Sequence, residues 1–145
     1  MKIECISKSA ITLPVDLIRP ELGLGRDRIF SLITGKQYVV YGITCYLGHL
    51  WYYICDEDYS YYPIWNPAPL FRITDNRISK YWEIGEYLIG SSEIIPIISF
   101  SEWVQNPIFY DLLTDREQSA VQTFIKYKKL IDEESNIIDQ DDAQL

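Results

Sequence analysis

The stretch that decides the fold is Gln37-Tyr38-Val39-Val40-Tyr41-Gly42-Ile43-Thr44-Cys45-Tyr46, then Leu47-Gly48-His49, then Leu50-Trp51-Tyr52-Tyr53-Ile54-Cys55. Both flanks are rich in aromatic and β-branched residues, which suit a pleated, half-buried surface. The three residues between them supply a glycine for a turn. The segment reads as a β-hairpin with strands over 37–46 and 50–55. Asp56-Glu57-Asp58 ends the second strand, because acids are poor strand formers.

Working outward, Lys2 to Ile6 reads as a short strand. Residues 7–25 are broken by Pro14, Pro20, Gly23 and Gly25, while Ile11, Leu13, Val15, Leu17 and Ile18 call for burial. That combination predicts a strand or extended arm laid on the core, followed by a helical turn over 26–33. Downstream of the hairpin, residues 59–69 read as a loop rich in Tyr and Pro. Strands follow over 70–73 and 77–86, the latter with Tyr81 and Trp82. A last strand region spans 87–98, with Ser91-Ser92 as a turn and Pro96 favouring an edge.

The pattern changes at Ser99. Ser99 with Glu102, Asn106-Pro107, and Thr114 with Glu117 are three helix-start signals. After the third, Ala120, Val121, Phe124, Ile125, Tyr127 and Ile131 recur at helical spacing. Lys126, Lys128 and Lys129 stand in the last turns, where cations oppose the negative end of the helix dipole. The expectation is an α+β fold: a small bent antiparallel sheet or SH3-like half-barrel closed by C-terminal helices. Val40, Ile43, Tyr53, Phe71, Trp82, Phe124 and Ile125 are its expected core.

A chain of 145 residues, 48% apolar, can bury one core without a covalent staple. Cys5, Cys45 and Cys55 are odd in number and form no disulfide framework, and Met1-Lys2-Ile3-Glu4 does not begin a secretory signal. On these features the cytoplasm is the expected compartment. No run approaches the roughly 20 apolar residues of a membrane span. The net charge of −8 is unevenly spread. Asp132, Glu133, Glu134, Asp139, Asp141 and Asp142 have no basic residue among them, and without these six the chain carries −2. The expected organisation is therefore one domain over 1–131 and an acidic tail over 132–145. Such a tail is usually a solvated, partly disordered end; the alternative is an acidic arm that docks on a basic partner.

Groups able to do chemistry are sparse. His49 is the one histidine, in a turn, with no nucleophile-elbow motif in the chain. Cys45, His49 and Cys55 offer three zinc ligands but no close pair, whereas structural sites use four. Leu22-Gly23-Leu24-Gly25-Arg26 and Gly35-Lys36-Gln37 lack phosphate-loop spacing and read as turns. Consecutive carboxylates at 56–58 point in different directions, unlike a glycosidase pair. These readings predict no enzyme, no metal and no cofactor.

The segment Asp56, Glu57, Asp58, Tyr59, Tyr61, Tyr62, Trp65 is the expected partner-binding surface. Tyr and Trp are common interface anchors. Nucleic acid is not expected there, because no Lys or Arg lies between Lys36 and Arg72 to follow a phosphate backbone.

Phe30, Leu32, Thr34-Gly35-Lys36, Tyr38 and Val40, then Trp51-Tyr52-Tyr53-Ile54, Asp56, Pro69-Leu70-Phe71, Ile73, Ser79 and Trp82, form a string over about residues 28–90. The string resembles small SH3-like β-barrel domains of uncharacterised bacterial and phage proteins, some of which are similar to toxin-immunity proteins. The resemblance implies no catalytic site. With the acidity and aromatic density it leads to one expected function: an immunity-type inhibitor that covers the active site of a basic toxin, for example a nuclease. The alternatives are a peptide-binding adaptor or assembly module and a small hydrolase using His49.

Overall fold

The computed structural model describes the backbone of residues 1–89 and 92–143, and the side chains of 1–88 and 92–136. The class is α+β, with the strands in two antiparallel sheets. The first sheet has β1 (Lys2–Cys5) between β2 (Gln37–Val39) and β6 (Phe71–Asp75). The second has the order β5-β4-β3-β8-β7, with β3 Gly42–Tyr46, β4 His49–Ile54, β5 Ile64–Pro67, β7 Trp82–Ile89 and β8 Glu93–Phe100.

The hairpin forms as expected, with Thr44 opposite Trp51 and Tyr46 opposite His49. Its turn uses Leu47 and Gly48, both at positive φ. The single strand expected over 37–46 does not form. It breaks at Val40-Tyr41, where the chain passes from one sheet to the other. Val40 donates its N–H to Met1 O at 3.1 Å, and Tyr41 donates to Tyr53 O at 2.8 Å. Val40 packs in one hydrophobic core and Tyr41 in the other. Alternation of side chains makes this corner possible without a breaker, since neighbours already point opposite ways.

Other expectations shift for identifiable reasons. Residues 7–25 are neither strand nor extended arm but carry three short 3-10 turns, at Ala10–Thr12, Val15–Leu17 and Pro20–Leu22. Of the apolar residues there, Leu13 and Leu17 are buried, whereas Ile11 and Val15 are exposed. Residues 64–67 pair with β4 as an edge strand, where proline is tolerated. The strand expected from Arg77 begins only at Trp82. Before it, Asp75 accepts the Arg77 N–H and Ser79 accepts the Tyr81 N–H, holding a loop. Of the expected turn at 91–92, Ser91 lies outside the described residues.

Three helices follow: α1 (Ser101–Val104), α2 (Phe109–Thr114) and α3 (Gln118–Ala143). Ser99 is no cap, because its buried hydroxyl donates to Tyr41 O at 2.7 Å. Asn106 Oδ1 accepts the Ile108 N–H just before α2. Glu117, not Thr114, caps α3, accepting the Ala120 N–H at 3.0 Å. The buried stripe of α3 is Ala120, Phe124, Ile131 and Ser135, with Tyr127 stacked on Phe100 at 4.3 Å. Ile125 is a correction: it is 58% exposed, because it lies one helical step off that stripe. Val40, Ile43, Tyr53, Phe71 and Phe124 are buried, and Trp82 is partly so.

The helix runs past the boundary expected at 131–132. Asp132 accepts from Tyr41, and Glu134 accepts from Ser79 Oγ and Lys80 N. Ser135 is buried. The first part of the supposed tail thus belongs to the folded body. The side chains of Asp139, Asp141 and Asp142 lie outside the described residues. No helix among the described residues is long and apolar enough to cross a membrane.

Candidate functional site

On β4, alternation puts Trp51 and Tyr53 on one face and Tyr52 on the other, where Tyr52 meets Phe71 edge-on. Trp65 lies opposite Tyr53 in the register and so shares the first face. Its ring stacks on Tyr46 at 5.3 Å and lies 4.8 Å from Trp51. These rings floor a cleft of about 570 Å³. That volume falls in the range of small-ligand and side-chain pockets.

Two walls complete the cleft. One is aromatic. Tyr110 stacks on Trp103 at 5.6 Å and donates its hydroxyl to Pro63 O at 2.7 Å. Tyr87 lines the same wall, its hydroxyl 3.2 Å from that of Tyr53. Burial pushes the phenols of Tyr53, Tyr87 and Tyr110 up from their ordinary value, so all three are neutral hydroxyls at pH 7. The other wall comes from the N-terminal segment, with Leu22, Leu24 and Arg28. Gly23, at φ +74°, makes the turn that carries Leu22 and Leu24.

The expected partner-binding residues separate into two groups. Trp65 and Tyr62 line the cleft. Tyr59 packs on Tyr62 at 5.0 Å, and Tyr61 at 4.6 Å, so the three tyrosines form one cluster at its edge. Arg116 lies over the Tyr61 ring at 4.6 Å and lowers that phenol's pKa. The acids do a different job. Asp56 Oδ1 accepts the N–H groups of Asp58 and Tyr59 at 2.8 and 2.9 Å. Glu57 accepts from Lys36 Nζ at 2.6 Å and from Tyr38 OH at 2.7 Å. Ser31 Oγ donates to Asp58. The three acids shape and tether the loop that presents the tyrosines.

Sequence reasoning did not find Leu22, Leu24, Arg28, Tyr87 or Tyr110 as neighbours of Trp65. The glycines flanking Leu24 signalled turns, but nothing local showed which surface the turns would meet.

His49 Nε2 lies 2.7 Å from Asp16 Oδ2, and this contact lowers the Asp16 pKa. Among the described residues no hydroxyl or thiol is bonded to the other ring nitrogen. Cys45, at one end of the hairpin, is exposed, and Cys55, at the other, is half-buried. Among the described residues no group of three His, Cys, Asp or Glu is placed to hold a metal.

The fold and site define an α+β domain with an open aromatic cleft. Comparison with protein-family models, with curated proteins and with solved structures finds no match.

Proposed function

We propose that this chain is a non-catalytic binding domain that holds a segment of a partner protein in the aromatic cleft. The observation that carries the reading is the cleft itself: Trp51 and Trp65 on the floor, Tyr62, Tyr87 and Tyr110 at the sides, and about 570 Å³ left open between them. Aromatic rings supply large contact area at small entropic cost, and their hydroxyls can orient a peptide backbone. The adaptor or assembly module is therefore the version the geometry supports best.

An immunity-type inhibitor of a basic toxin is the second reading, favoured by the net charge of −8. In that reading the loop at 56–58 steers the partner and the tyrosine cluster anchors it. The internal partners of Asp56, Glu57 and Asp58 weigh against it, since they occupy the carboxylates that would meet the toxin.

One experiment separates the two. The partner is isolated with the wild-type chain and tested against Tyr62→Ala, Trp65→Ala and the triple change Asp56→Asn, Glu57→Gln, Asp58→Asn. Loss of binding in the first two and retention in the third supports the cleft. The reverse pattern supports the acidic inhibitor.

A further inference from the structure

We infer that the segment held in the cleft carries a carboxylate beside a bulky apolar or aromatic side chain, and that Arg28 binds the carboxylate. The inference rests on the cleft being the binding site. Its starting point is the charge of the lining. Among the described residues Arg28 is the one charged residue on a surface otherwise made of Leu, Ile, Tyr, Trp and Thr.

The guanidinium is already positioned. One nitrogen, Nη1, donates to Gly23 O at 3.1 Å, and Cζ lies 4.2 Å from the centre of the Phe30 ring. The carbonyl and the ring hold the group at the cleft without neutralising it. Among the described residues no carboxylate is paired with Arg28, so its charge is open to a ligand.

Arg28 is exposed, so its charge stands accessible at the edge of an apolar surface. An incoming carboxylate can accept two parallel N–H bonds from the free edge of the guanidinium. The rings then take the adjacent side chain. An Asp or Glu side chain and a chain terminus present the same carboxylate oxygens.

The test is affinity selection from random hexapeptides, one pool with free C-termini and one amidated. Wild-type protein should enrich an apolar or aromatic residue next to an acid. Enrichment confined to the free pool identifies the terminus, and acids selected in the amidated pool identify a side chain. A selected peptide resynthesised with its acid as the amide should bind wild type about tenfold more weakly, the worth of one charge-assisted hydrogen bond. Arg28→Gln should bind both forms alike. Trp65→Ala should enrich nothing, with Tyr62→Ala as the milder variant should Trp65→Ala fail to fold. Enrichment in the amidated pool of peptides with no acidic side chain, or a carboxylate preference that survives Arg28→Gln, overturns the inference and leaves the cleft reading standing. Equal enrichment by the cleft variants, or no enrichment by wild type, overturns both.

Discussion

The hydroxyl of Tyr41 donates to Asp132 Oδ1 at 2.6 Å and ties the corner between the two sheets to the long C-terminal helix. The same carboxylate accepts Lys128 Nζ at 2.8 Å, and the Tyr41 ring meets Phe124 edge-on at 5.6 Å. An acid that counted as tail by composition is thus a clasp.

Tyr41→Phe removes that bond and keeps the ring packing. Hydrogen bonds to charged groups contribute about 1.5–3 kcal/mol. Because Lys128 still holds Asp132, the lower end applies, about 1.5 kcal/mol. Urea denaturation should show a lower midpoint with an unchanged slope. An unmoved midpoint would mean the clasp is not a stabilising contact.

Asp56→Asn should preserve stability, because an amide oxygen can accept from the Asp58 and Tyr59 N–H groups as the carboxylate does. Asp56→Ala removes the acceptor and should cost about 1 kcal/mol per bond left unmade. Comparing the two by thermal unfolding separates a structural acid from a charge. Equal losses in both would show that the negative charge itself matters.

Alkali should act through the tyrosines. Burial above all raises the phenols of Tyr41, Tyr53 and Tyr110, and burial with the neighbouring Tyr61 hydroxyl pushes Tyr62 up to about 12. A folded pKa above the unfolded value of about 10 contributes stability that is complete below pH ~10 and is lost as pH rises towards the folded value. Tyrosinate absorbance should therefore show Tyr61 ionising early, with Arg116 beside it. The buried set should follow with the loss of far-ultraviolet circular dichroism. A single smooth titration near the ordinary value, with the fold intact, would contradict this.

The three thiols should differ in reactivity. Cys45 is exposed. Burial raises Cys5 and pushes Cys55 up to about 12, so neither forms thiolate readily. A disulfide reagent at pH about 8 should label one thiol quickly and the other two after denaturation. Mass spectrometry should place the fast label on Cys45.

Much of the second sheet was legible because its signals are local. The β3–β4 hairpin announces itself through Trp51-Tyr52-Tyr53-Ile54 and the glycine of its turn. The corner at Val40-Tyr41 was not legible, since no residue there breaks a strand and the two destinations are set by distant packing. Residues 64–67 hid behind Pro63, Pro67 and Pro69, which speak against a strand unless it lies at an edge. Half of the site could be read. Tyr62 and Trp65 stood out as aromatics, but Arg28 and Leu22 reach them only through the fold. The charges of Asp56 to Asp58 were plain, while Lys36, Tyr38 and Ser31 as their partners were not.

The first sheet sets an order of assembly. β1 sits in its centre, with Ile3 opposite both Tyr38 and Ile73. It leaves the ribosome before either neighbour, and its second neighbour emerges about seventy residues later. Pairing across such separations is slow, because chain closure precedes any reward. Lys2 to Cys5 therefore waits for Gln37–Val39 on one side and for Phe71–Asp75 on the other, and keeps one open β edge until the second has been made.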